Sequence, residues 1–180
     1  MAPIALLLLI IRLESPGSPI YRQERIGYRG QPLRIFKLRT MVADSDDVEK
    51  HLSPEQLAQW RSERKVEDDP RVTRVGRFLR RTSLDELPQF LNVLAGSMSI
   101  VGPRPVVADE LPAYGTDVDA FLSMKPGITG WWQVQARNDA TYEDGSRQQL
   151  ELYYVRNANL KLDVVVFLET FKSIINKTGV

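Results

Sequence analysis

Cysteine is absent from this 180-residue chain, and histidine occurs once, at His51. Without cysteine there can be no disulfide scaffold, zinc finger, thiol nucleophile or thiolate-ligated cluster. A single histidine excludes a His-rich metal site and weakens any Ser-His-Asp reading. Long hydrophobic runs are missing too. The longest, Ile4 to Leu13 (IALLLLIIRL), falls short of the roughly 20 apolar residues that span a bilayer. It has neither the basic start nor the small-residue cleavage pattern of a signal peptide. Net charge is also scarce, because 24 Lys and Arg face 23 Asp and Glu. Any chemistry must therefore rest on carboxylates, arginine, lysine, hydroxyls or a cofactor.

What is present is patterned. Arg12 to Arg39 holds seven bases and two acids, Asp44 to Asp69 nine acids and four bases, and Arg71 to Arg81 five arginines and no acid. Such blocks suit an anionic partner, although taken alone they more often mark a well-solvated surface whose signs cluster. The apolar run ends sharply at Arg12 and Glu-Ser-Pro-Gly, since Pro16 and Gly17 stop a helix. It reads either as a buried core helix or as a helix entering one leaflet with Arg12 snorkelling at the interface.

Gly27 to Pro32 is a turn signal between two β-prone runs, so a hairpin is expected, with Lys37 and Arg39 on one strand face. Asp44 to Val66 reads as a charged helical excursion, with a capping box at Ser53-Pro54-Glu55-Gln56. Val72 to Arg81 reads as a short basic amphipathic helix with Val72, Val75, Phe78 and Leu79 on its apolar side. A second helix is expected from Leu84 to Leu94, ending at Gly96. Ile100 to Pro105 (IVGPRP) is a stiff loop around Arg104, and Lys125 to Asn138 gives turns followed by a β-prone run. Two further helices are expected at Tyr142 to Val155 and Leu162 to Ile175, the last with Val165, Leu168, Phe171 and Ile175 as its apolar stripe. These elements make one compact α/β or α-rich α+β domain of ordinary size.

The most chemical stretch is Arg80 to Gln89 (RRTSLDELPQ). Ser83 with Glu86 forms a capping box, or Asp85 serves as N-cap and leaves Pro88 in the first turn. Capping alone accounts for these residues as well as chemistry does. The chemical alternative is phosphoryl transfer. A helix N-terminus and two adjacent arginines attract phosphate. Asp85 could act as a nucleophile, in the ionised form the arginines favour, and a neighbouring carboxylate could hold Mg²⁺. Arg104 between two prolines is either a stiff turn or a preorganised diphosphate contact. Trp131 and Trp132 read as core or interfacial aromatics. Arg137 and Asn138 read as a turn, and Asp163 as a favourable first-turn acid.

In order along the chain, LESPG (13–17), RQERIG (22–27), FKLRTM (36–41), Arg80 to Gln89, VGPRP (101–105), KPGITG (125–130) and WQV (132–134) together resemble the bacterial sugar transferases known as monotopic phosphoglycosyl transferases. The resemblance covers essentially the whole chain. It implies attack by Asp85 on the β-phosphorus of a UDP-sugar, release of UMP, and transfer of the phosphosugar from Asp85 to polyprenyl (undecaprenyl) phosphate, beginning exopolysaccharide, capsule or O-antigen synthesis. By the same resemblance Glu86 assists and holds Mg²⁺. Arg80 and Arg104 bind phosphate, Lys37 and Asp163 lie near the site, and Arg39, Arg137 and Asn138 are weaker carry-overs. It also implies an α-rich α+β fold with a short β-hairpin. Residues 1–13 would be part of a re-entrant membrane helix kinked at Ala2-Pro3, and residues 14–180 the catalytic domain, at the cytoplasmic face of the bacterial inner membrane. On this reading the first half of that helix is expected upstream, the chain being the catalytic portion of a longer protein. The competing possibility is a non-catalytic membrane-surface or nucleotide-sugar-binding fragment. Nucleic acid is not an expected partner, because the Arg71–Arg81 stretch lacks stacking aromatics and a reading helix. No residue discriminates galactose, glucose and N-acetylated sugars, and none assigns an oligomeric state.

Overall fold

The computed structural model describes residues 2–63, 66–136 and 144–175. It is α-rich, with a β-hairpin and a second, two-stranded parallel pair. The chain divides into two compact units, one drawn from Met1–Tyr21 and Leu38–Asp85, the other from Arg22–Lys37 and Glu86–Gly179. Among the described residues no helix is long and apolar enough to cross a membrane.

In the first unit, helix α1 (Ala2–Glu14) ends where Ser-Pro-Gly was expected to stop it. It packs Ile11, with Leu7 and Leu8, against Leu38 and Leu79, while Leu6, Leu9 and Leu13 are exposed. The acidic excursion folds as two short helices, α2 (Val48–His51) and α3 (Pro54–Glu63). The Ser53 capping box forms: Ser53 Oγ accepts from Gln56 N, and Gln56 Oε1 accepts from Ser53 N, both at 3.2 Å.

Helix α4 (Arg74–Arg81) is shorter than Val72–Arg81 because Val72 pairs with Met41 in an antiparallel bridge. Its N-terminus is capped twice, by Thr73 Oγ1 on Gly76 N (2.9 Å) and by the Glu14 carboxylate on Arg74 N and Val75 N. Gly76 has to be glycine, since a Cβ there would lie 1.9 Å from the Thr40 carbonyl oxygen. Only Leu79 and Gly76 are fully buried on α4, and Phe78, expected on the apolar side, is exposed.

The hairpin forms as expected, from β1 (Ile20–Ile26) and β2 (Pro32–Leu38), with a turn at Tyr28–Gly30. Beyond it the expected helix over Leu84–Leu94 is corrected. Residues Leu84–Gln89 wind as a 3-10 helix and only Phe90–Leu94 is α-helical (α5). Pro88 lacks the N–H an α-helical ladder would need. Buried Asn92 of α5 bonds the β2 backbone on both sides, accepting from Phe36 N (3.2 Å) and donating to Arg34 O (2.8 Å).

Strands β3 (Ser99–Val101) and β4 (Gly127–Thr129) pair in parallel, Ser99 opposite Gly127 and Val101 opposite Thr129. A Cβ on Gly127 would meet Gly102 N at 2.2 Å, so the VGPRP and KPGITG segments interlock through bare backbone. A 3-10 helix (Ala108–Asp117) and α6 (Val118–Leu122) carry Tyr114 and Phe121, stacked at 4.1 Å, into a cluster with Val106 and Leu152.

The run after Gly130 is not a strand but helix α7 (Trp131–Gln135), packed on α8 (Ser146–Asn157) and α9 (Leu160–Ile175). Aromatic and β-branched residues favour a half-buried surface rather than a strand as such, and packing overrides the preference. The expected stripe of α9 is also corrected. Val165, Leu168 and Phe171 are exposed, and Val166 is the fully buried residue. Val164 to Leu168 is apolar at every position, so hydropathy cannot set the phase. Thr170 sets it, one turn beyond Val166, through a 2.7 Å hydrogen bond with the Thr129 hydroxyl.

Candidate functional site

The first unit holds Arg39, Arg80 and Asp85. Thr40 sits where the backbone meets α4: its carbonyl accepts from Thr73 N, and its hydroxyl accepts from Arg80 Nε at 2.9 Å. Arg80 is thus a tethered cation. Burial pulls its pKa below the usual arginine value, while the Asp85 and Asp69 carboxylates favour the charged form. Arg71, next to this cluster, is consumed by a buried fork-to-fork pair with Asp69 and by the Ser45 carbonyl.

Between Arg80 and Asp85 the chain turns through Ser83, whose φ of +54° lies in the left-handed region. A non-glycine residue pays about 1 kcal/mol for that. Asp85 follows in the first turn of the 3-10 helix and is partly buried. Arg39 does not join this cluster. Its guanidinium donates to the carbonyls of Ser15 and Pro16, the latter at 2.7 Å, and so closes the end of α1.

The second unit holds Lys37, Glu86, Arg104 and Asp163. The carboxylate of Glu86 does not turn back to Ser83 as a capping box would require. Its Oε1 accepts from Lys37 Nζ at 3.2 Å, with both side chains roughly three-quarters buried. Magnesium needs only one or two protein carboxylates when substrate phosphates complete its shell. Glu86 is the carboxylate expected to be that ligand; among the described residues no group of three or more Asp, Glu or His side chains gathers to hold a metal.

Arg104 emerges just after β3, between two prolines. Its backbone N–H donates to Glu151 Oε2 at 3.0 Å, and its guanidinium lies 3.5 Å from Glu110 and 6.0 Å from the Trp132 ring. Burial pushes the Glu110 carboxyl up, but Arg104, the Val107 N–H, Arg25 and Arg147 together hold it below the ordinary glutamate value. Asp163, in the first turn of α9, accepts from the buried Tyr154 hydroxyl at 2.7 Å. Burial and this carboxylate raise the Tyr154 pKa. Arg137 and Asn138 lie outside the described residues.

Sequence inspection overlooked Glu151, Arg147 and Glu110. The signal was in α8, where Arg147, Gln148, Glu151 and Leu152 share the buried side at helical spacing. A helix that buries mostly polar side chains cannot be there for hydrophobic packing alone.

A family model described as "Bacterial sugar transferase" matches residues 1–177. Among curated proteins, the chain is 46% identical over 166 residues to "Undecaprenyl-phosphate galactose phosphotransferase" of Salmonella typhimurium, covering 91% of this chain and 34% of that protein. It is 40% identical over 179 residues to "UDP-glucose:undecaprenyl-phosphate glucose-1-phosphate transferase" of Escherichia coli, covering 95% and 36% respectively. It is 42% identical over 183 residues to "Exopolysaccharide production protein ExoY" of Sinorhizobium fredii, covering 99% of this chain and 80% of that one. The chain therefore spans about a third of the length of the first two relatives and most of the third.

Proposed function

We propose, on the premise that the chain belongs to the bacterial sugar transferase family, that it transfers a sugar-1-phosphate from a UDP-sugar to polyprenyl phosphate at a membrane surface, the step that begins a surface polysaccharide. The observation that carries this proposal is the Arg80–Asp85 turn. There an arginine tethered by Thr40 and a partly buried carboxylate are brought together by a strained Ser83. A cation beside the carboxylate keeps it ionised, and it also draws in an anionic phosphate group.

The chemistry divides into two displacements at one phosphorus. An Asp85 carboxylate oxygen bonds to the β-phosphorus of the UDP-sugar while the bridging oxygen to the α-phosphorus leaves with UMP. An oxygen of polyprenyl phosphate then bonds to the same phosphorus and frees Asp85, giving polyprenyl-diphosphate-sugar. Arg80 stabilises the charge that builds on the phosphoryl oxygens, and Arg104 is assigned to the diphosphate. Mg²⁺, with Glu86 as its protein ligand, would neutralise charge on the phosphates. Lys37 holds the Glu86 carboxylate in place, and Tyr154 does the same for Asp163. Leu6, Leu9 and Leu13 on the exposed side of α1 are assigned to lipid. On this reading the reaction belongs at the cytoplasmic face of the bacterial inner membrane.

Incubation with Mg²⁺ and a panel of UDP-sugars tests this proposal. UMP should appear, and the protein should gain the mass of a phosphosugar when polyprenyl phosphate is left out. Asp85→Asn should abolish the adduct and lower turnover by about 10⁴-fold or more. An adduct that persists in Asp85→Asn would sink the nucleophile assignment. UDP-sugar binding with no UMP from the unaltered protein would leave the non-catalytic binding module.

A further inference from the structure

Glu151 is 2% exposed, on a helix that could have carried leucine there at no desolvation cost. Its Oε2 accepts the backbone N–H of Arg104 at 3.0 Å. One turn earlier on α8, the Arg147 guanidinium lies 3.9 Å over the Trp132 ring, and the Arg104 guanidinium approaches the same ring at 6.0 Å. Glu110 sits 3.5 Å from Arg104 and 4.0 Å from Arg25. Three arginines and two glutamates thus gather around a loop whose φ angles two prolines restrict.

We propose that Glu151 is a positioning residue for Arg104, anchoring the backbone of the Pro103-Arg104-Pro105 loop and setting, by its charge, how strongly Arg104 holds the diphosphate of a UDP-sugar. This inference rests on the function proposed above and adds the residue that tunes it. A purely structural acceptor could be a neutral amide or a backbone carbonyl. A carboxylate bound to the Arg104 N–H also acts through its charge on the nearby guanidinium, offsetting part of the attraction that a diphosphate would feel.

The charged groups acting on Glu151 are Arg147 from its own helix, Arg104 from the loop and Glu110 from the 3-10 helix. From the other packed helices, α7 brings the uncharged Trp132. Helix α6 packs Phe121 near Leu152 and leaves Asp119 exposed. Burial pushes the Glu151 carboxyl up to about 7 against the pull of both arginines. A diphosphate on Arg104 adds negative charge nearby and disfavours the carboxylate further. Binding should therefore take up a proton near pH 7, and affinity should rise as pH falls through that value.

UDP-glucose and UDP-galactose are suitable probes, because their phosphates stay fully ionised across this range. Titration calorimetry on Asp85→Asn protein, in two buffers of different ionisation enthalpy, keeps the substrate intact and counts protons. Expected are net proton uptake at pH 7 and affinity about 5- to 10-fold higher at pH 6 than at pH 8, both lost in Asp85→Asn/Glu151→Gln. The glutamine keeps the N–H acceptor, so thermal unfolding and circular dichroism should report an intact fold. pH-independent affinity, or a pH dependence that survives Glu151→Gln, overturns the role of Glu151. If the unaltered protein releases no UMP while the proton-linked binding is present, the transferase proposal falls and the role of Glu151 stands. Absence of UDP-sugar binding overturns both.

Discussion

At the scale of single residues, the energetics of this protein concentrate on buried charge. Glu151 binds its proton more tightly in the folded chain, to about pH 7, than an exposed glutamate does, because burial penalises the carboxylate. The sign for stability follows by linkage. Below the unfolded pKa both states are protonated. As pH rises toward 7 the unfolded chain releases the proton first, so stability falls across that window and then levels off. The contribution is on the order of 2–4 kcal/mol. Urea unfolding between pH 5 and 8 should show it as a falling stability, and Glu151→Gln should flatten that part of the curve. A slope unchanged in the variant would assign the titration elsewhere. Arg71 with Asp69 is a further case of charge kept inside by a partner. Removing one member of such a pair costs more than the pair itself contributes.

At the scale of elements, capping and packing decide between alternatives that propensity leaves open. The Ser53-Pro54-Glu55-Gln56 signal is local, and the structure realises it at α3. The α4 N-terminus shows both kinds of cap. Thr73 is a local one, three residues from the amide it accepts, whereas Glu14 reaches across 60 positions. Thr73→Ala should lower stability by about 1 kcal/mol, read as a shift in urea midpoint without a change in slope. A change in slope would mean that more than the cap was lost. The WWQVQ run shows the limit of local preference: its residues favour strands, yet α8 and α9 hold it as a helix. The 3-10 helix carrying Asp85 and Glu86 has a local cause, Pro88. Which way Glu86 points has a distant one, because Lys37 lies 49 positions earlier.

At the scale of the molecule, the described residues expose apolar side chains on the outward side of α1, at Leu87, Phe90, Leu91 and Leu94, and along much of α9. Exposed apolar area of this kind marks a contact with lipid or protein. For α1 the lipid assignment can be tested directly. Leu6, Leu9 and Leu13 make little contact with the core, so replacing all three with glutamate should leave thermal unfolding nearly unchanged. Co-sedimentation with phospholipid vesicles should fall by about 100-fold or more, since each leucine contributes about 1.5–3 kcal/mol when buried in an apolar phase. Retained vesicle binding would assign the contact to α9 or to a basic surface instead.

Absent cysteine and a single histidine confined the chemistry to carboxylates and arginines, and seven short motifs in order carried the family. Turn residues, prolines and caps marked the hairpin, the start of α3 and the end of α1, because those signals act over three or four residues. Folding settled what depends on distant neighbours. It placed Arg80 on Thr40 and gave Arg39 to the end of α1 rather than to the candidate site. It set the phase of an α9 segment whose apolar run has no phase of its own, and it brought Arg104 of the loop after β3 and Glu110 of the 3-10 helix to Arg147 and Glu151 of α8. A hydrophobic or capping pattern can be read along a chain because its physics is local. Whether a buried Glu151 is tolerable depends on Arg104, 47 positions away, and only the folded protein brings the two together.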